Sequence, residues 1–198
     1  MQLPDIRVGD RWVFVTRSQE EAERGEPGLI LANHVTQIGP DGEVHIEVQR
    51  TNKPDAPVLK NVYSKQFDLL SREIVPGEAI EYKPAFPQFD FPLSVGKNWK
   101  DTITQSQPEW ELHTRLGVSV SVEAEQTLTV PAGTFHAYRL QGHYTAAQAT
   151  VMTHYWYAPA AGREVKGIED TLSINGVRTR LIYELQSLNR LRAQRSWD

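Results

Sequence analysis

Among the side chains able to do chemistry, Ser94 and Lys97 stand at the Ser-x-x-Lys spacing of serine acyl-transfer enzymes. That chemistry needs a helix start to carry the lysine amine onto the serine hydroxyl. Gly96 interrupts the spacing and a strand follows, so Ser94–Lys97 reads as a turn. Six histidines come next: His34, His45, His113, His136, His143 and His154. A metal ion needs three or four converging donors. No two of these histidines stand two apart, and His136 and His143 have opposite parity, so they diverge on a regular strand. Glu123 and Glu125 do share a face, as a glycosidase carboxylate pair would, yet they lie on the polar side of a long alternating segment and read as solvated. There is no phosphate-cradling glycine loop and no nucleophile elbow. Cysteine is absent, which removes thiol catalysis and thiolate metal sites. No catalytic residue, metal or cofactor is expected.

The aromatic residues are more suggestive. His154-Tyr155-Trp156-Tyr157 is a dense cluster, and Trp12, Phe14, Trp99, Trp110, Tyr138 and Tyr144 fall on other predicted strands. Large rings on a strongly curved sheet either fill a core or leave a pocket where the two sides cannot close. On the second reading, Trp12, Phe14, Trp99, Tyr138, His154 and Trp156 form a ligand-binding face for an apolar or amphipathic small molecule or a protein segment.

The elements that must position these residues are strands. From Val118 to Val130, Val118, Val120, Val122, Ala124, Leu128 and Val130 share one parity, and Ser119, Ser121, Glu123, Glu125, Thr127 and Thr129 the other. That alternation predicts a strand with one buried face, long enough to need a bend or bulge near Gln126. Val44, Ile46 and Val48 alternate likewise, as do Val177, Leu181, Tyr183 and Leu185. Trp12–Val15 and Leu29–Ala32 are apolar on both faces and read as central strands. Pro40-Asp41-Gly42 and Pro131-Ala132-Gly133-Thr134 supply turns, and Asn175-Gly176 predicts a two-residue hairpin turn. No sustained helical periodicity occurs. Residues 18–28 read as a solvated acidic loop, although Ser18 and Glu21 have the spacing of a capping box. Residues 83–93 hold three prolines and three phenylalanines, which predicts an extended segment over one end or edge of the sheet. Val8-Gly9-Asp10-Arg11-Trp12 is echoed by Val95-Gly96-Lys97-Asn98-Trp99, an offset of 95 − 8 = 87 residues. A duplication dividing the chain into 1–90 and 91–198 would produce the echo, and so would shared turn grammar.

At 198 residues the chain suits one β domain, 1–198, and can bury roughly 70% of its extended surface without disulfides. A hydrophobic content of 39% and a formal net charge of −4 argue against disorder and against a nucleic-acid partner, which needs a concentrated cationic surface. No apolar run approaches the roughly 20 residues of a membrane span. Arg190, Arg192 and Arg195 beside Trp197 are a candidate contact for an anionic membrane surface, though a frayed tail has the same composition. Met1-Gln2-Leu3-Pro4 reads as a trimmed start.

Phe91-Pro92-Leu93, Val95-Gly96-Lys97-x-Trp99, Val130-Pro131-Ala132-Gly133-Thr134-Phe135, Trp156-Tyr157-Ala158-Pro159 with Gly162 and Val165-Lys166, and Glu184-Leu185 occur in this order. Over residues 91–188 this resembles a group of exported bacterial β proteins of unknown function, the TapB-like proteins among them. The resemblance implies a removed signal peptide or lipid anchor and a periplasmic or surface location. It also implies a likeness to the half-barrel of periplasmic lipoprotein carriers. It carries over no catalytic residue.

The expected architecture is a single curved antiparallel sheet of about ten strands in meander order, a half-barrel or open barrel. The leading expectation for function is a non-catalytic exported binding protein. Competing expectations are a hydrolase using His and carboxylate groups in the same cleft, and a structural component of the cell envelope.

Overall fold

The computed structural model describes residues 3–190. Twelve strands follow one another: β1 (Arg11–Ser18), β2 (Leu29–Ile38), β3 (Val44–Arg50), β4 (Leu59–Tyr63), β5 (Leu69–Val75), β6 (Glu78–Phe86), β7 (Asn98–Gln107), β8 (Leu112–Val130), β9 (Gly133–Thr145), β10 (Ala149–Ala158), β11 (Arg163–Ser173) and β12 (Arg178–Asn189). Each pairs antiparallel with its sequence neighbours, and β1 also pairs with β12, from Arg11 opposite Asn189 to Ser18 opposite Leu181. The sheet is therefore a closed barrel of twelve strands.

This corrects the expected open or half-barrel of about ten strands. The physical reason lies in β1. Trp12-Val13-Phe14-Val15 is apolar on both faces, and in an open meander this strand would be an edge with naked backbone donors and acceptors. Pairing with both β2 and β12 removes that edge. The undercount comes from strands such as β4 and β5, which are short and half-exposed and so alternate weakly.

The up-and-down order puts the connections at two ends. Residues 39–43, 64–68, 87–97, 131–132 and 159–162 form the base; residues 19–28, 51–58, 76–77, 108–111, 146–148 and 174–177 form the mouth. At the mouth, 18–28 is not wholly a loop. Ser18 Oγ accepts from the Glu21 amide at 3.1 Å, and Glu21 Oε2 accepts from the Ser18 amide at 2.7 Å, which closes the one-turn helix α1 (Gln19–Glu23). The turn at Asn175-Gly176 spans three residues rather than two: the Ser173 amide donates to Val177 O across residues 174–176, and Gly176 takes a positive φ. In β8 the bulge falls between Val122 and Ala124, earlier than Gln126. There it turns Glu123 and the rest of the hairpin away from the regular register, and the tip reaches β12, where the Ala132 amide donates to Leu185 O.

The base is filled. The β6–β7 ladder stops at Lys83 opposite Thr104, where Pro84 has no donor to continue it. After β6 the chain folds across the base, with Phe89 and Leu93 buried. Phe89 packs on Tyr155 and Tyr157 at centroid distances of 5.7 and 4.9 Å. Beside this plug sits a buried ion pair, Arg163 Nη2 to Glu164 Oε1 at 2.9 Å, with the guanidinium over the rings of Trp12 and Phe14. The two Val-Gly segments have matching backbone geometry. Gly9 donates to Val35 O and Val35 to Asp10 O; Gly96 donates to Val122 O and Val122 to Lys97 O, each pair at the same offset, 96 − 9 = 122 − 35 = 87. They lead into β1 and β7, which stand half a turn apart in the ring.

Candidate functional site

Alternation along β8, β9 and β10 sends Leu116, Tyr144, Val151, Thr153 and Tyr155 to the inside of the barrel. The opposite wall contributes Tyr63, Arg72, Tyr82 and Phe86. Between them lies a cavity of about 570 Å³ that reaches the mouth beside Leu112, Gln148 and Ala149. That volume is within the range of small-molecule sites. Two glycines let Tyr183 and Tyr144 lie close against the wall. A methyl group on Gly167 would collide with the Tyr183 ring, and one on Gly142 with the Tyr144 hydroxyl and Thr153.

Five of the chain's seven tyrosines line this space: Tyr63, Tyr82, Tyr144, Tyr155 and Tyr183. Burial pushes all five phenols above the ordinary tyrosine range, Tyr155 and Tyr183 most strongly. They stay protonated at neutral pH and act as hydrogen-bonding apolar surface, not as bases. The Tyr155 hydroxyl donates to Gln88 O at 2.8 Å, which ties the cavity floor to the plug. Only two lining residues are charged, Arg72 and Glu169. Around the mouth, Trp110 is 68% and Ile174 75% exposed, with Val58, Val75, Leu112 and Val177 also exposed. The cavity thus opens through an apolar collar.

None of the six residues expected to bind a ligand is among the side chains lining the cavity. Trp12 and Phe14 are inside the barrel but beneath it, under Arg163, and the Trp12 Nε1–H donates to Ala161 O at 2.8 Å. Trp99 donates from Nε1 to Pro87 O at 2.9 Å and so pins the plug. Tyr138 lies on the β8–β9 hairpin, edge-on to His136 at a centroid distance of 6.4 Å, and His154 and Trp156 belong to another surface, the outer wall. There Glu123 Oε2 meets Arg139 Nε at 2.9 Å and His154 Nδ1 at 3.8 Å, and Trp156 packs against Lys166. The structure therefore brings together Trp12 with Phe14, and His154 with Trp156, in separate places. Tyr144 and Tyr155 belong to the aromatic set read from the sequence but not to its expected binding face, and Tyr63, Tyr82 and Tyr183 stand alone among non-aromatic neighbours; the missed signal is their parity with neighbouring apolar residues on the inner face.

The other chemical candidates resolve as structure. Glu123 and Glu125 each face a different partner, Arg139 for Glu123 and His136 for Glu125, the latter at 3.7 Å. Lys97 Nζ is held by Asp90, at 3.0 Å from Oδ2, and by Pro92 O at 3.1 Å, which fixes the turn that Ser94–Lys97 was read as. Among the described residues no group of three His, Asp or Glu is placed to hold a metal ion. Arg190 pairs with Asp10 at 3.6 Å; Arg192, Arg195 and Trp197 lie outside the described residues. No helix among the described residues is long and apolar enough to cross a membrane.

Fold and site together define a closed antiparallel barrel plugged at one end, with a tyrosine-lined cavity open at the other. No family model and no curated protein matches the sequence. Solved structures that share the fold include the following. A candidate exported protein of Bacteroides fragilis, described as having a YmcC-like fold, is 14% identical and matches with a TM-score of 0.56 over 95% of this chain and 98% of its own. The hypothetical lipoprotein YmcC of Escherichia coli is 12% identical, with a TM-score of 0.53 over 92% and 86%. A candidate lipoprotein of Parabacteroides distasonis is 15% identical, with a TM-score of 0.52 over 94% and 97%. At such identity the likeness is one of fold.

Proposed function

We propose that the protein is a non-catalytic binding protein of the bacterial cell envelope that holds an amphipathic molecule inside its barrel. The observation that carries this reading is the cavity of about 570 Å³, walled by neutral tyrosines and Phe86, behind an apolar collar. Close packing normally leaves few voids in a protein interior. Here the interior keeps one, and rings with polar tips suit a ligand that is part apolar and part polar. Localisation to the envelope, and the narrower affiliation with TapB-like proteins, rest on resemblance: the structural relatives are described as exported proteins or lipoproteins. An enzyme reading gains no support from the cavity, because no histidine lines it and Glu169 is its one carboxylate. A purely structural component would share the collar but has no use for the space behind it.

Native mass spectrometry of the protein purified from its own host tests the reading. The expected spectrum contains a bound small molecule, lost when Thr114→Trp fills the cavity near its mouth without changing the melting temperature. A ligand-free spectrum, together with no binding of any amphiphile to the purified protein, contradicts it.

A further inference from the structure

Arg72 and Glu169, the two charged residues of the cavity, are placed in a telling way. Arg72 is on β5 and Glu169 on β11, six strands apart in a ring of twelve, so they project from opposite walls. Neither forms an ion pair with another described residue. Arg72 hydrogen-bonds the Tyr82 hydroxyl, which leaves further guanidinium donors for an anion. Glu169 has a different setting. Tyr144 and Tyr183 lie within its field, and Tyr82 feels it from across the cavity. A carboxylate sharing a cavity with tyrosine rings is a setting that binds an alkylated ammonium ion, by charge and by cation–π attraction together. Two opposite charges facing across a cavity without touching leave a gap that a ligand of matching polarity would bridge.

We propose that the ligand is a zwitterionic amphiphile, its anionic group (a phosphate or carboxylate) at Arg72 and its ammonium group at Glu169 among the tyrosine rings. This rests on the binding reading above and adds the headgroup to it. Charge complementarity selects among ligands more than it adds raw affinity. The cavity therefore discriminates between amphiphiles that carry the same tail and different heads.

The test titrates the whole chain with four dodecyl amphiphiles below their micellar concentrations: dodecylphosphocholine, dodecyl phosphate, dodecyltrimethylammonium and dodecyl maltoside. Binding is followed by isothermal calorimetry. Dodecylphosphocholine is expected to bind at least about tenfold more tightly than the uncharged maltoside. Arg72→Gln should weaken the phosphocholine and phosphate probes about tenfold and leave trimethylammonium unchanged; Glu169→Gln should weaken phosphocholine and trimethylammonium and leave phosphate unchanged. The unaffected probe in each variant reports that the cavity is intact. Equal binding of all four heads, or indifference to both substitutions, overturns the zwitterion assignment while the cavity reading stands. No binding by any of them overturns both. Glycerophosphocholine, the head without the tail, separates a lipid from a soluble zwitterion, and affinity equal to that of dodecylphosphocholine overturns the amphiphile half of the proposal.

Discussion

Arg163 and Glu164 show what a residue-scale choice does in a closed barrel. Both side chains are buried, and their 2.9 Å contact with each other, with the guanidinium over the rings of Trp12 and Phe14, is the compensation for removing them from water. Glu164→Gln leaves the guanidinium buried without its counter-charge, and the expected loss is about 3–5 kcal/mol, read by urea denaturation. Asp68, in the β4–β5 turn, is the other informative carboxyl. Burial, and then the nearby charge of Asp90, push its pKa up to about 6, and Oδ1 has no hydrogen-bond partner among the described residues. The sign follows directly. A carboxyl with a raised folded pKa favours the native state below its unfolded value of 3.8, and that benefit is lost as pH rises through about 6. Asp68→Asn should therefore melt a few degrees higher than the parent protein at pH 7.5 and no higher near pH 4. Equal gains at both pH values would mean that the carboxyl's charge is not the cause.

At the scale of elements, the segment after β6 does the work that sequence suggested for the Pro/Phe stretch, and more. It covers one end of the sheet, as its prolines required, but it also sends Phe89 into the barrel against Tyr155 and Tyr157. Phe89→Ala should cost about 3–5 kcal/mol, the range for emptying a buried aromatic site, measured by chemical denaturation. A loss under about 1 kcal/mol would show that the plug is not part of the core. The strands themselves were largely legible, because period-two patterns such as Val118–Val130 and Val44–Val48 can only be sorted by pleated backbone. Their faces were less so. In β10, His154 and Trp156 looked like site residues by type, yet the intervening Tyr155 faces the cavity and they face outward. A register one residue different would exchange them, and local sequence does not carry the register.

For the whole molecule, closure was the feature least visible in the chain. It depends on pairing β1 with β12, more than 160 residues away, and no local pattern encodes a contact between the two ends of a meander. What was legible is the reason for it, the double-faced apolar run Trp12–Val15 that could not remain at an edge. Closure also sets the site, since an open sheet would present a groove where the barrel holds an enclosed space. Native-state hydrogen exchange checks closure. Amides of β1 and β12 should exchange as slowly as those of the long β8–β9 hairpin, and fast exchange along either strand would indicate an open seam.

The interior cavity is the account's centre, and chemical-shift mapping with dodecylphosphocholine addresses it most directly. The amides of Gly142, Thr153 and Gly167, which lie on the inner face behind the tyrosines, should shift in one saturable process, with the outer-wall residues around His154 and Trp156 unmoved. Shifts confined to the outer wall or to the exposed collar would place the ligand elsewhere and contradict it.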